Sequence, residues 1–297
     1  MLVSVFIVTY NQEKLISQCI EGVLMQITEC PIEIIIGDDC STDKTFSICQ
    51  EYARKHTNIN VLPSEKNIGI AKNWQRVLSN CNGKYIAMCE GDDYWTDPYK
   101  LQKQIDFLES NPGVSAVTHD VVILDEINSG RTNVFFKNDI ENIKQAFDNF
   151  VPTCSIVLRN INLEKHFPDY EKYKILTADK TLLLGLAAAG KIKFLNEKMA
   201  VYRIHEKGVA VNLDPAKKLI VPINTNKYIL SKPEYKEIWS TARKSLLVLY
   251  GNLAVLNYSR HKLHKYLKYL FLSVFQIRKV KEFKIIISDF IFMKAKQ

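Results

Sequence analysis

The 297-residue chain lacks the cysteine patterns that would indicate a disulfide-bonded or zinc-binding fold. Its seven cysteines are odd in number and include no Cys-x-x-Cys pair, so neither a disulfide framework nor a zinc knuckle is predicted. Several cysteines lie in apolar runs, where cysteine behaves as a small hydrophobic residue. Reduced thiols in a cytoplasmic protein are the simplest interpretation.

Glycine-rich phosphate-binding loops are missing as well. No Gly-x-Gly-x-x-Gly follows the first strand-like run, and no Gly-x-x-x-x-Gly-Lys-Ser/Thr occurs in the chain. These absences argue against a dinucleotide-binding fold and against a P-loop. If a phosphorylated ligand binds, a metal ion and side chains must hold its phosphates. Lys72 is the nearest basic candidate, and a solvated helix lysine is an equal alternative.

Long apolar runs are also absent. No segment reaches the apolar length of a membrane-spanning helix. The chain opens on a strand-like run at residues 2–8, without a basic region or cleavage site before it, so we predict no signal peptide. The expected location is the cytoplasm.

The net charge of +8 belongs to the C-terminal tail. Residues 260–297 contain ten Lys or Arg and two Asp or Glu, which leaves the rest of the chain neutral. The tail also carries apolar residues near helical spacing, and basic amphipathic helices can lie on anionic membrane surfaces. Packing against the rest of the protein is an equal alternative. No nucleic-acid partner is predicted, because no binding motif accompanies the charge.

Strand-like and helix-like segments alternate through residues 1–118. This alternation predicts an α/β fold with a largely parallel sheet covered by helices on both faces. The predicted strands are 2–8, 32–36, 59–62, 85–89 and 114–118, and the predicted helices are 13–26, 42–56, 70–81 and 98–110.

The regular alternation ends after residue 118. Within residues 119–212, segments 140–150 and 179–189 look helical, whereas 192–195 and 199–204 look like strands. From about residue 215 the chain reads mostly as helix. We therefore predict one domain over residues 1–212, followed by a helical, basic extension over 213–297.

The most informative stretch is residues 84–93, an apolar run that stops at Glu90, Asp92 and Asp93. Three carboxylates crowded at a strand end repel one another, and a divalent cation or a shared proton is the usual relief. Mg²⁺ and Mn²⁺ take oxygen ligands and commonly bridge to substrate phosphates. A solvated surface turn is the alternative interpretation.

Polar residues also follow two other strand-like runs. Thr9, Tyr10 and Asn11 end the first run, and Asp38 and Asp39 end the second. Ligands of open α/β sheets bind beyond the carboxyl ends of the strands, and right-handed crossovers would bring these ends to one edge. Helix capping is the alternative, but two consecutive aspartates exceed what a cap needs.

Together these features resemble the family 2 inverting glycosyltransferases, which have the GT-A fold. The resemblance spans about residues 1–210. It rests on five segments in order: Val-Phe-Ile-Val-Thr-Tyr-Asn at 5–11, Ile-Ile-Ile-Gly-Asp-Asp-Cys-Ser-Thr-Asp at 34–43, Asn-Ile-Gly with Lys-Asn at 67–73, Glu-Gly-Asp-Asp at 90–93 and Tyr-Arg-Ile-His at 202–205. Each segment is weak alone, but their order and spacing are specific.

The resemblance implies a donor site in a nucleotide-binding half, residues 1–118, and an acceptor half, residues 119–212. Tyr10 would pack on the nucleotide base with Thr9 and Asn11 beside it. Asp38 and Asp39 would lie at the base and ribose. A UDP-sugar is the expected donor, with GDP and dTDP as the alternative nucleotides. Lys72 is counted among the donor-binding residues, as a candidate to meet the nucleotide or its phosphate.

The resemblance also implies a metal cofactor, Mn²⁺ or Mg²⁺. Asp92 would be its main ligand, with Glu90 and Asp93 around the ribose and the metal. His205 would approach the metal or the diphosphate when the loop after it closes. Glu90 stands where the family more often has Asp.

Inversion requires a general base, and the resemblance assigns this role to Asp179 at the start of a helix. The usual acidic neighbour is Ala178 here. An acidic residue that merely favours its own helix N-terminus is the rival interpretation of Asp179. The expected acceptor is a surface polysaccharide or a lipid-linked glycan, which favours a peripheral location at the inner membrane face. A non-catalytic nucleotide-sugar binding module and a nucleotidyltransferase are the alternative functions.

Overall fold

A computed structural model describes residues 2–128, 130–132, 138–161, 168–176 and 178–277, and the statements below concern these residues. Part of the predicted basic tail, residues 278–297, lies outside them. The chain divides into two compact units, Met1–Asn212 and Leu213–Gln297, and each is described by itself.

The first unit is built on one sheet to which nine strands contribute. The strands are β1 (Val3–Thr9), β2 (Ile32–Asp38), β3 (Ile59–Leu62), β4 (Tyr85–Met88), β5 (Tyr94–Trp95), β6 (Val114–Asp125), β7 (Gly130–Thr132), β8 (Val157–Arg159) and β9 (Lys191–Ile204). Their order is β3-β2-β1-β4-β8-β6-β9-β5, and β7 pairs with β6.

The described part of the first unit also contains eight α-helices. They are α1 (Ile16–Leu24), α2 (Thr45–Lys55), α3 (Ile70–Leu78), α4 (Lys100–Ser110), α5 (Ile143–Asp148), α6 (Tyr170–Tyr173), α7 (Asp179–Ala189) and α8 (Val209–Asn212). A short 3₁₀ turn, Thr153–Ser155, precedes β8.

The predicted α/β fold with a mostly parallel sheet and flanking helices is confirmed. The neighbouring strands β3, β2, β1 and β4 all run parallel, and β6 runs parallel to β9. Every residue of β1 is buried, as expected for a central parallel strand that is covered on both faces. The core that surrounds it joins residues of the strands to apolar side chains of α1 and α4.

One long strand, β9, replaces the two short strands predicted at 192–195 and 199–204. Its pairing with β6 shifts register between His119 and Val121, opposite the exposed residues 196–198. Such a bulge accommodates extra residues without ending the strand. The polar residues between the two predicted strands therefore form an irregularity within one strand.

The second unit is helical over its described part. It contains α9 (Pro215–Ser231), a 3₁₀ turn (Pro233–Ile238), α10 (Trp239–Ser259) and α11 (Leu263–Ile277). These helices pack around a core of Ile223, Leu246, Tyr250 and Leu253. None of the described helices combines the length and the apolar content that crossing a bilayer requires.

Lys100, the first residue of α4, is fully buried. Its Nζ lies 4.1 Å from the centroid of the Trp95 ring and donates to Gln104 Oε1 at 2.8 Å. Burial lowers the pKa of Lys100 to about 7. A buried charge without an acidic partner in contact costs stability, so this site should make folding depend on pH.

Replacing Lys100 by methionine should reveal that dependence. Below pH 7 both states hold the proton, and the wild type carries the full cost of the buried charge. Between pH 7 and the ordinary lysine pKa of 10.5, the folded state releases its proton first. The free energy of unfolding of the wild type should then rise relative to K100M, by roughly 3–5 kcal/mol over this window. Urea denaturation of both proteins at several pH values measures the difference, and a constant difference would contradict the prediction.

Candidate active site

The acidic segments after β2 and β4 lie next to each other at the carboxyl end of β1. The Asp39 amide donates to the Thr9 carbonyl, and the Gly91 amide donates to the Val8 carbonyl, both at 3.0 Å. The parallel strands β2 and β4 flank β1 on its two sides. The polar strand ends therefore share one edge of the sheet, where α/β proteins bind ligands.

Asn11 joins the loop after β1 to the loop after β2. Its amide donates to Ser41 Oγ at 2.9 Å, and its Oδ1 accepts from the Thr42 amide at 2.8 Å. It adopts a left-handed φ of 52°, which asparagine tolerates better than most residues. Thr9 is buried and donates to Gln12, whereas the Tyr10 side chain is exposed. Of these three residues, Tyr10 presents its side chain to solvent at this edge.

The two aspartates at the end of β2 bind backbone amides, Asp38 in the loop that follows it and Asp39 in the loop before α3. Asp38 accepts hydrogen bonds from the amide and the hydroxyl of Ser41. Asp39 accepts from the amides of Ile68 and Gly69 at 2.8 and 2.9 Å. Burial raises the pKa of Asp39, and these two amide hydrogen bonds oppose the shift. Asp39 thus fixes the loop that leads into α3.

Lys72 lies in the first turn of α3, which directly follows this loop in the chain. Its Nζ forms an ion pair with Glu171 of α6, and both side chains are substantially exposed. Exposed ion pairs contribute little stability, so an anionic ligand could replace Glu171 as the partner of Lys72 at small cost.

The acidic turn after β4 meets the end of β9. Asp92 Oδ2 lies 3.0 Å from His205 Nε2. Asp93 is buried, and its Oδ1 accepts from the Arg203 amide at 2.8 Å. The structure therefore brings Asp92 and His205 together, while Asp93 faces the interior and binds the backbone of β9.

Arg203 organises this junction, a role that the sequence analysis did not assign. Its guanidinium donates to the Asp92 carbonyl at 2.9 Å and forms an ion pair with Glu126 at 3.1 Å. It also lies over the Tyr94 ring, 4.8 Å from the centroid. The Tyr-Arg-Ile-His segment was the available signal, but only its histidine received a role.

Asp179 begins α7 and lies near Glu90, so the predicted base and the acidic turn belong to one cluster. Burial raises the pKa of Glu90 well above its usual range, and the charge of Asp179 raises it further. A hydrogen bond with the Thr153 side chain opposes this shift. Burial also raises the pKa of Asp179. Glu90 therefore lies on the side of the turn toward Asp179, whereas Asp92 faces His205.

Lys180, another residue missed by sequence reasoning, anchors the start of α7. Its Nζ donates to the carbonyls of Ala146, Phe147 and Asn149 at 3.1, 2.9 and 2.5 Å. These carbonyls lie at the C-terminal end of α5, where the helix dipole favours a positive charge. Burial lowers the pKa of Lys180 to about 8. Lys180 thereby holds the segment after α5 beside Asp179.

The segment after α5 borders a small, mostly apolar crevice next to Asp179 and Lys180. The crevice has a volume of about 20 Å³. Phe150 lines the crevice and is 42% exposed. Its ring packs edge-on against the Tyr202 ring, with the two ring centroids 6.3 Å apart. An exposed aromatic ring therefore lies on the Asp179 side of the cluster.

The residues of this site fit a divalent cation that takes some of its ligands from the protein and the others from a bound substrate. Within the described ranges, no group of three or more His, Cys, Asp or Glu is arranged to hold a metal by itself. Asp92 and His205 face each other with side chains that are still partly accessible. Mg²⁺ and similar cations in phosphate-handling sites often take one or two protein ligands and complete their coordination with substrate phosphates and water.

Two solved structures have similar folds. S. aureus TarS in complex with UDP-GlcNAc aligns with a TM-score of 0.63 at 17% identity, over 91% of this chain and 90% of that one. The mannosyltransferase PcManGT from Pyrobaculum calidifontis, solved with GDP-Man and Mn²⁺, aligns with a TM-score of 0.57 at 17% identity, over 92% and 83%. At these identities the comparison establishes the fold.

Curated relatives extend the similarity to sequence. An uncharacterised protein of Mycobacterium tuberculosis is 36% identical over 69% of this chain, and the match spans about 60% of that relative's length. The Bacillus subtilis protein TuaG, assigned by name to teichuronic acid biosynthesis as a glycosyltransferase, is 30% identical over 71% of this chain and 82% of its own length. The model of the family described as glycosyl transferase family 2 matches residues 4–164, more than half of the chain. The predicted resemblance is confirmed, and this chain belongs to glycosyl transferase family 2.

Proposed function

We propose that this chain transfers a sugar from a nucleotide-sugar donor to an acceptor hydroxyl, with inversion at the anomeric carbon. The observation that carries the proposal is the position of Asp179. Asp179 begins α7 and lies near Glu90. Glu90 belongs to the turn after β4, and the same turn carries Asp92, which contacts His205. The proximity of a candidate base to a candidate cation site supports the proposal.

The donor side is formed by the loops after β1 and β2. The exposed Tyr10 ring would stack on the nucleotide base. Asn11, Asp38 and Asp39 fix the backbone of the neighbouring loops through hydrogen bonds. Lys72 would exchange Glu171 for a phosphate oxygen. UDP is the nucleotide we expect, in line with the UDP-GlcNAc bound by TarS.

A divalent cation, Mn²⁺ or Mg²⁺, would be held by Asp92 and His205. When bound, it supplies neutralisation of the charge that develops on the leaving nucleoside diphosphate. The mannosyltransferase with a similar fold was solved with Mn²⁺. Arg203 contributes by keeping the Asp92 carbonyl and β9 in place.

The acceptor side is formed by Asp179, Lys180 and the segment that carries Phe150. Asp179 would accept the proton of the acceptor hydroxyl as that oxygen attacks the anomeric carbon from the face opposite the diphosphate. Burial that raises its pKa makes it a better proton acceptor than an exposed aspartate. The exposed Phe150 ring offers an apolar surface to the acceptor sugar. TuaG's name supports a surface polysaccharide as the acceptor class, with a lipid-linked glycan as the related possibility.

A thermal-shift panel of nucleotides, with and without Mn²⁺, tests this proposal. UDP or a UDP-sugar with Mn²⁺ should raise the melting temperature, because a ligand at 100 times its Kd adds about 2.7 kcal/mol to the free energy of unfolding. The same nucleotide without metal should give a much smaller shift. Preferential stabilisation by a nucleoside triphosphate, with release of pyrophosphate on turnover, would identify a nucleotidyltransferase instead. Donor binding without any transfer or donor hydrolysis would identify a binding module.

A further inference from the structure

Helix α11 carries an exposed apolar stripe along one side. Four apolar side chains on it are between 48% and 68% exposed: Leu263, Leu267, Phe271 and Val274. At about 100° per residue, these four positions fall within roughly 80° of the helix circumference. Exposed apolar residues scattered singly are ordinary, but a continuous stripe along a helix marks an interaction surface.

The opposite side of α11 packs against α10, which leaves the side with the apolar stripe exposed. Tyr269 stacks on Tyr250, with ring centroids 6.3 Å apart. Ser273 is buried and donates to the Leu247 carbonyl at 3.0 Å. Leu272 packs against the core of the second unit. The helix therefore already uses one apolar side for folding and presents a second one to solvent.

The surroundings of the stripe are positively charged. Residues 239–277 contain no Asp or Glu and six Lys or Arg, at positions 243, 244, 260, 262, 265 and 268. Lys262, Lys265 and Lys268 are exposed on or next to α11. Lys268 lies about 60° around the helix from Phe271. Of these cations, Arg260 forms an ion pair with Asp214. The stripe is flanked by Lys268, and α11 itself carries no Asp or Glu, so this side of the helix complements a surface with an apolar interior and a negatively charged exterior.

We propose that α11 lies on an anionic membrane surface, with its exposed stripe at the level of the acyl chains and its lysines among the lipid headgroups. This is the arrangement of interfacial amphipathic helices. A second copy of the chain is a poorer occupant, because self-association across this face would bring like charges together. Attachment through α11 does not require the proposed reaction, so its test is independent of sugar transfer.

Vesicle co-sedimentation of the full chain tests the proposal, with phosphatidylcholine vesicles compared with vesicles that contain about 30% phosphatidylglycerol. The wild type should bind the anionic vesicles and lose binding as salt is raised. Replacing Leu267 and Phe271 by glutamine should weaken binding more than tenfold. Replacing Lys268 by glutamine should weaken it roughly fivefold, because each basic residue near the surface contributes about 1 kcal/mol.

A matched control is available in the first unit, where Met25 and Ile27 are also exposed apolar residues. The M25Q/I27Q double variant should bind anionic vesicles as the wild type does, and circular dichroism should confirm that all variants fold. Failure of the wild type to bind anionic vesicles would overturn the proposal. Unchanged binding by L267Q/F271Q would also overturn it and place the contact elsewhere in the chain. Conversion of a dimer to a monomer by L267Q/F271Q, with vesicle binding intact, would show that the stripe joins two copies.

Discussion

Replacing Asp179 by asparagine should lower kcat for sugar transfer by about 10³-fold, while nucleotide-sugar binding stays within a few fold of the wild type. General base catalysis contributes about 10²–10⁴-fold, and asparagine keeps the shape of the side chain while removing its capacity to accept a proton. The donor-side residues Tyr10, Asp39 and Asp92 lie on other elements and are left intact. Single-turnover kinetics and calorimetric titration of the donor measure the two quantities separately.

Asp148 provides the control for this change. It is the last residue of α5, and its charge acts on Lys180 as that of Asp179 does. Asp148→Asn removes one negative charge near the start of α7, as D179N does. The kcat of D148N should therefore remain within about twofold of the wild type. Unchanged turnover in D179N would exclude Asp179 as the base. Equal loss of donor binding would mean that Asp179 shapes the donor pocket instead.

Replacing Asp92 by asparagine should abolish the metal-dependent part of nucleotide binding and lower transfer by about 10²-fold or more. A bound cation contributes several kcal/mol to the stabilisation of developing charge, and asparagine is a weaker ligand for it. Titration of the nucleotide at increasing Mn²⁺ concentration, with initial rates at each concentration, measures both effects. A wild-type Mn²⁺ dependence in D92N would contradict the assignment of Asp92 as a ligand.

The same substitution should have the opposite effect on the stability of the free protein. Burial raises the pKa of both Glu90 and Asp93, and the charge of Asp92 raises both further, so the three carboxylates disfavour one another's ionisation. Removing one charge should therefore raise the melting temperature in the absence of metal. The exposed Asp106 of α4 serves as the control, because D106N changes the net charge equally without touching the cluster. A lowered melting temperature in D92N would indicate that misfolding, and not loss of a ligand, explains any loss of activity.

Much of the first unit was predictable because its signals are local. The alternation of apolar runs and helical segments over residues 1–118 identified the strands that became β1 to β4 and the helices between them. Parallel strands joined by right-handed crossovers leave their carboxyl ends on one edge. Asp39 and Asp92 were therefore expected on the same edge before any contact was known, and the backbone bonds of their turns to β1 agree with that.

The interior partners of the site were not predictable in the same way. The proximity of Glu90 to Asp179 joins residues 89 positions apart, and Arg203 binds a carbonyl that is 111 positions away. No sequence pattern marked Lys100 or Lys180, yet Lys100 is buried against the Trp95 ring and the half-buried Lys180 donates to three backbone carbonyls. Nothing in the residues beside them in the chain encodes these partners.

The fold class, the family and the sheet edge that carries the polar strand ends can be derived from the amino-acid sequence, because hydrophobic period, strand-end composition and motif order are short-range properties of the chain. Tertiary structure alone decided which carboxylate faces which partner. Asp93 is turned inward to β9, Asp92 meets His205, and Glu90 lies toward Asp179. The physical reason is that charge and hydrogen-bond partners in a low-dielectric interior come from elements distant in sequence, whose approach is set by packing of the whole sheet.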